Sequence, residues 1–181
     1  MHVLVAYASR SGATAEIAAR IADRIRRAGN ETDCVSVTER PLVTAYDAFV
    51  VGSAVYLGQW EKEAIAFVDA NRAALAANRT WFFSSGPLGT EQKTDAGEDK
   101  IDSAVSQTRL QALSQAVDPR GHRVFFGALD PDRLGVGPRL MRMLPAGRRL
   151  LEEGDFRDWA AIEAWADEIA DQLADTRVPV A

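Results

Sequence analysis

The amino-acid sequence predicts an α/β domain built on a doubly wound, five-stranded parallel sheet of order 2-1-3-4-5. Five short apolar runs recur along the chain, dense in β-forming residues and continuous rather than alternating, as strands buried on both faces are. Stretches with helical periodicity fall between them. The composition, 47% hydrophobic and 26% charged over 181 residues, fits one globular domain with a substantial core. A second independent domain would be cramped, so a single domain is expected over residues 1–181.

His2–Ala8 reads as the first strand. The helix after it carries Ile17, Ala18, Ile21, Ala22 and Ile25 on one face and Arg20, Asp23, Arg24 and Arg27 on the other, and Gly29-Asn30 ends it. Thr32–Val37 and Tyr46–Gly52 are the second and third strands. Glu61–Ala77 is predicted helical, with Ala64, Ile65, Phe67, Val68 and Leu75 inward. Thr80–Ser85 is the fourth strand, Ser103–Val117 a helix and His122–Ala128 the fifth strand. Asp155–Leu173 is a strong final helix, spaced by Phe156, Trp159, Ile162, Trp165, Ile169 and Leu173. Right-handed crossovers between such units give the stated strand order.

The segment 129–154 departs from this pattern, because it is longer than a normal connection. Between Leu134 and Leu151 it holds Arg139, Arg142, Arg148 and Arg149, interspersed with Leu and Met, and no acidic residue. With Arg133 that makes +5 over 133–149, so an overall −5 leaves −10 for the rest of the chain. A solvated edge helix would look like this. So would a platform for a hydrophobic anion, or for an anionic membrane surface met through Arg139 and Arg142.

The overall acidity argues against a nucleic-acid partner. One cysteine, Cys34, excludes an internal disulfide and any multi-cysteine metal site, and it reads as a small core residue rather than a catalytic thiol. No metal site is expected. His2 and His122 start strands and read as structural. No apolar run is long enough to span a bilayer and no secretory pattern precedes the first strand, so a cytoplasmic protein is expected, with peripheral contact at the inner membrane face left open.

Ligands of open parallel sheets sit at the carboxyl ends of the strands, near the point where strand order reverses. The loop Ser9-Arg10-Ser11-Gly12-Ala13-Thr14 leads from the first strand into the first helix. Backbone N–H groups and a helix N-terminus make an anion site there; three hydroxyls and a glycine suit a monophosphate. Ordinary capping would need only one hydroxyl. The loop Gly52–Trp60 offers Ser53, Ala54, Val55, Tyr56, Leu57, Gly58 and Trp60, with two aromatics to flank a flat ring. A third loop, Ser85-Gly86-Pro87-Leu88-Gly89, can bring small-residue backbone to the ring edge. These eighteen positions are the candidate cofactor residues.

With these motifs the chain resembles the flavodoxins, and more specifically the flavodoxin-fold, menaquinone-dependent protoporphyrinogen IX dehydrogenases. The likeness rests on Ser9–Thr14, the glycine-framed Gly52–Gly58, Gly127–Leu129 with the basic stretch after it, and Asp158-Trp159. Ala13 departs from the asparagine common in flavodoxins, and 84–89 does not match the dehydrogenases closely. The resemblance implies an FMN cofactor, with a deazaflavin as the alternative, and a flavin-dependent oxidoreductase that oxidises a hydrophobic anion and passes electrons to a quinone. A non-enzymatic electron carrier is the alternative, although carriers dock through acidic faces and 129–154 is basic. No catalytic acid or base is assigned, since the flavin carries the reactivity. A response regulator would need acids at the end of the first strand, where Ala6-Tyr7-Ala8 stands. A low-molecular-weight phosphatase would need a cysteine in the first loop.

Overall fold

The structure is a computed structural model that describes residues 1–56, 58–86, 88, 108–133, 135–141, 143–144, 151 and 153–175. Strands β1 (His2–Ala8), β2 (Glu31–Ser36), β3 (Ala48–Tyr56), β4 (Gln59–Trp60), β5 (Arg79–Ser85) and β6 (Gly121–Phe125) form one sheet. Its path is β2-β1-β3-β5-β6, all parallel, and β4 folds back antiparallel on β3. This is the expected order, β5 and β6 being the fourth and fifth strands read from the sequence.

The helices are α1 (Ala13–Arg27), α2 (Lys62–Ala70), α3 (Arg72–Ala77), α4 (Thr108–Val117), α5 (Val136–Met141) and α6 (Trp159–Ala174). Side chains alternate across a strand, so β1 feeds two cores. Val3 and Val5 pack with Ile17, Ile21 and Ile25 of α1 and Ile162, Trp165 and Ile169 of α6. Leu4 and Ala6 pack on the opposite face with Phe67 and Val68 of α2, Leu75 of α3 and Leu113 of α4. Burial on both faces explains the continuous apolar runs. In the centre, a Cβ on Gly52 would stand 2.0 Å from the Phe83 ring, so glycine is what lets Phe83 reach Phe125 and Trp165.

Several boundaries differ from the expectation, each for a local reason. β3 runs four residues past Gly52, because Ser53 and Ala54 still pair with Ser84 and Ser85 and because Val55 and Tyr56 pair with Trp60 and Gln59. Helix Glu61–Ala77 is two helices: Asn71 leaves helical geometry and its Nδ2 donates to the Phe67 carbonyl at 2.8 Å. Gly154–Asp155 is not helical. It pairs antiparallel, as β8, with β7 (Ala128–Leu129), and Asp158 then caps α6 by accepting the Ala161 N–H at 3.0 Å. The helix expected from Ser103 lies within the described residues only from Thr108. Cys34 is half-buried, and burial pushes its thiol up to about 11, so it stays protonated and inert.

Candidate functional site

Parallel pairing brings the carboxyl ends of β1, β3 and β5 together, and with them the three candidate loops. Gly12 has φ +91°, a left-handed conformation open chiefly to glycine. It turns the chain from β1 into α1, where it occupies the N-cap position with no side-chain cap. The Ser9 hydroxyl accepts the Gly12 N–H at 3.1 Å, so it closes the loop instead of capping the helix. The leading amides of α1 thus remain available to an anion. Thr14 is buried beneath this turn, whereas Ser11 and Ala13 line a cleft of about 240 Å³.

Arg10 reaches away from this cleft. Its guanidinium lies 4.9 Å from the centre of the Tyr56 ring, and its Nε sits 2.9 Å from both carboxylate oxygens of Glu61. One N–H can serve one of them well, and it donates to Oε2. Oε1 is buried and accepts no hydrogen bond among the described residues. Such an acceptor is costly to leave unmet, and it lies where the first and second loops approach. Glu61 escaped the sequence reading because a glutamate at a helix start is ordinary; only its burial marks it.

The second loop is a hairpin turned at Gly58 (φ +72°). Ser53 is fully buried, and its hydroxyl accepts the Glu61 N–H at 2.9 Å and donates to the Ala54 carbonyl at 2.9 Å. Ala54 is buried and Val55 half-buried. Trp60 packs edge-on against Phe82 within the core and is 4% exposed. Tyr56 is half-buried and is therefore the more accessible of the two aromatics.

At the third loop, Ser85 is buried at the end of β5. Gly86 (φ +93°) donates its N–H to Phe125 O at 2.9 Å. A Cβ on Gly127 would come within 3.1 Å of the Gly86 Cα, so the turns after β5 and β6 press together. Leu88 and Tyr56 pack on Leu129 and Leu151, an apolar floor shared by the second loop, the third loop and the segment 129–154. The segment's part in this floor was not read from sequence, because no local pattern brings Leu151 to Tyr56. Leu57, Pro87, Gly89 and Arg142 lie outside the described residues. Arg139 is exposed, 3.4 Å from the Pro131 carbonyl and 3.6 Å from Asp132, with Leu140, Met143 and Leu144 exposed nearby in the chain.

His122 is closer to these loops than its place at the start of a strand implies. The Trp60 indole donates to Ser84 Oγ at 2.8 Å, so the Ser84 hydroxyl is free to donate to His122 Nε2 at 2.9 Å. The histidine tautomer sets the direction of that bond: with Ser84 as donor, Nε2 is the unprotonated nitrogen of a neutral ring. Burial pushes the His122 pKa down to about 4, in keeping with that state.

A doubly wound parallel sheet with an uncapped, glycine-led helix N-terminus at its switch point defines a flavodoxin-like α/β protein. The flavodoxin domain family matches residues 4–145, and the chain belongs to that family, whose fold supports a flavin-binding redox role. Among curated proteins it is similar to the protoporphyrinogen IX dehydrogenase [quinone] of Escherichia coli K12, 24% identical over 94% of this chain and 95% of that protein. Among solved structures it resembles oxidised flavodoxin 1 from Bacillus cereus (TM-score 0.60, 17% identity, 96% of this chain and 100% of that one). An archaeal flavodoxin is similar as well (TM-score 0.60, 15% identity, 96% and 99%).

Proposed function

We propose that this protein is an FMN-dependent oxidoreductase that oxidises a hydrophobic, anionic substrate such as protoporphyrinogen IX and passes the electrons to a quinone. The observation that carries the substrate class is the segment 129–154: its Leu129 and Leu151 meet the candidate loops, its sequence carries Arg139 and Arg142, and Leu140, Met143 and Leu144 are exposed. Arginine grips carboxylates, and Leu and Met offer apolar surface to a macrocycle or quinone. The end-to-end similarity to a quinone-dependent dehydrogenase supports the same reading.

The donor set suits FMN. The amides of Ala13 and Thr14 with Ser9, Ser11 and Thr14 would hold the phosphate. Tyr56, the hairpin 53–60 and the turn 85–89 would hold the ring over the Leu129–Leu151 floor. Glu61 Oε1 would accept a hydrogen bond from the ligand. When bound, FMN supplies the redox chemistry. The residues of this chain orient the cofactor, shield it from water and receive the substrate. The same basic and apolar segment would meet an anionic membrane face, where a quinone resides. No helix among the described residues is long and apolar enough to cross a membrane.

The test is the absorbance spectrum of the purified protein, mass spectrometry of the released cofactor and anaerobic assays with protoporphyrinogen and a menaquinone analogue. FMN with quinone-dependent oxidation is expected, and Arg139→Glu with Arg142→Glu should cut turnover while FMN stays bound. FMN without oxidation would identify a carrier. A released deazaflavin would replace the cofactor assignment.

A further inference from the structure

Glu16 stands in the first turn of α1, the helix whose N-terminus is the candidate phosphate site. A carboxylate there is favoured by the helix dipole, but it has the same sign as an incoming phosphate and competes for the same field. Two arginines from beyond β6 converge on it, one on each oxygen. Arg133 Nη1 donates to Oε1 at 2.9 Å and Arg157 Nη1 to Oε2 at 2.7 Å. These hydrogen bonds, Arg157 first, hold the Glu16 carboxyl below its usual range.

The two arginines are mounted differently. Arg157 is 8% exposed, forks onto Asp155 at 2.8 and 2.7 Å and lies 4.4 Å over the Trp159 ring. It is fixed in place. Arg133 is 56% exposed, and its Nη1 lies 3.1 Å from the point where a Cβ on Gly12 would stand. Its charge therefore sits directly on the turn of the candidate phosphate loop. Both arginines line the cleft that Ser11 and Ala13 share.

We propose that Arg133, backed by Arg157, completes the phosphate site by cancelling the charge of Glu16, which makes the segment after β6 part of the cofactor pocket as well as a substrate platform. This rests on the FMN reading above. Arg133 is a positioning and charge-balancing residue and touches no reacting atom. Its loss would confront the phosphate with a half-compensated carboxylate, and loss of the Glu16 charge as well would remove the conflict. A staple that only fastened the segment to α1 would not discriminate between phosphorylated and unphosphorylated flavin.

The experiment strips the flavin from wild type, Arg133→Ala, Glu16→Gln and the double variant, then titrates each with FMN and with riboflavin, following flavin fluorescence. Arg133→Ala should weaken FMN by roughly fivefold, the scale of one partly exposed charge interaction, and leave riboflavin unchanged. The double variant should regain wild-type FMN affinity, and added salt should shrink the difference. Unchanged FMN affinity in Arg133→Ala, equal loss of both ligands, or no rescue by Glu16→Gln would overturn the proposal. A wild type that binds riboflavin as well as FMN would overturn the phosphate-loop reading itself. A wild-type preference for FMN that is undiminished in Arg133→Ala would overturn the arginine role alone.

Discussion

The parallel sheet and the segment between β6 and α6 meet at the candidate site, but different forces hold them. The sheet is fastened by burial: Leu4, Phe49, Phe82 and Phe83 are fully enclosed, and helices cover both faces. The segment has a two-residue strand pair, the half-floor of Leu129 and Leu151, and arginines bound to Glu16, Asp130 and Asp155. Its α5 is six residues long and is followed by exposed Met143 and Leu144. Apolar burial hardly responds to salt, whereas partly exposed ion pairs do. The proposed flavin site thus has a rigid frame, while the wall proposed to meet substrate is attached by contacts that conditions can loosen.

The contrast breaks most visibly at Phe82, which is fully buried and meets Trp60 at 5.5 Å between ring centroids. Phe82→Ala should cost about 3–5 kcal/mol, measured by urea unfolding, with little dependence on salt. A loss below about 1 kcal/mol would mean that the sheet face collapses around the gap.

Acid should act on the two regions in sequence. The folded pKa of His122 is about 4 against 6.5 for the free side chain. The unfolded chain therefore binds this proton first, and stability falls as pH drops from 6.5 towards 4, by at most about 3 kcal/mol. Glu16 and Asp155 have carboxyls held below the usual range by Arg157, so their contribution is present above the ordinary carboxylate values and lost only below them. His122→Gln should flatten the stability profile between pH 6.5 and 4 and leave the lower limb in place. An unchanged upper limb would remove the buried neutral histidine from the account.

The smallest expected effect lies in the segment itself. Arg157→Ala removes the fork on Asp155, the bond to Glu16 and the stack on Trp159, and should cost about 1–2 kcal/mol. Unlike the Phe82 loss, part of it should vanish at 1 M salt, and hydrogen exchange should rise first at Ala128–Leu129. A salt-independent loss would place Arg157 with the core rather than with the ion pairs.

Sequence alone determined the sheet. Continuous apolar runs can be satisfied only by strands covered on both faces, and the helical spacing between them sets the crossovers, so order and core followed from local pattern. It also marked the first loop as a candidate, since three hydroxyls and Gly12 fall within six residues at the end of the first strand. Tertiary structure decided the rest, because the deciding contacts join residues far apart in the chain. Ser53–Tyr56 became strand only through pairing with β5 and the return of Trp60, which took Trp60 into the core and left Tyr56 as the more accessible aromatic. Glu61 became notable only when burial stranded its Oε1 beside Arg10. Glu16, an ordinary first-turn acid in the sequence, is met by two arginines more than a hundred residues away: Arg133, which the sequence shows only as part of a basic stretch, and Arg157, which lies beyond that stretch, and only the fold brings both to the candidate phosphate loop.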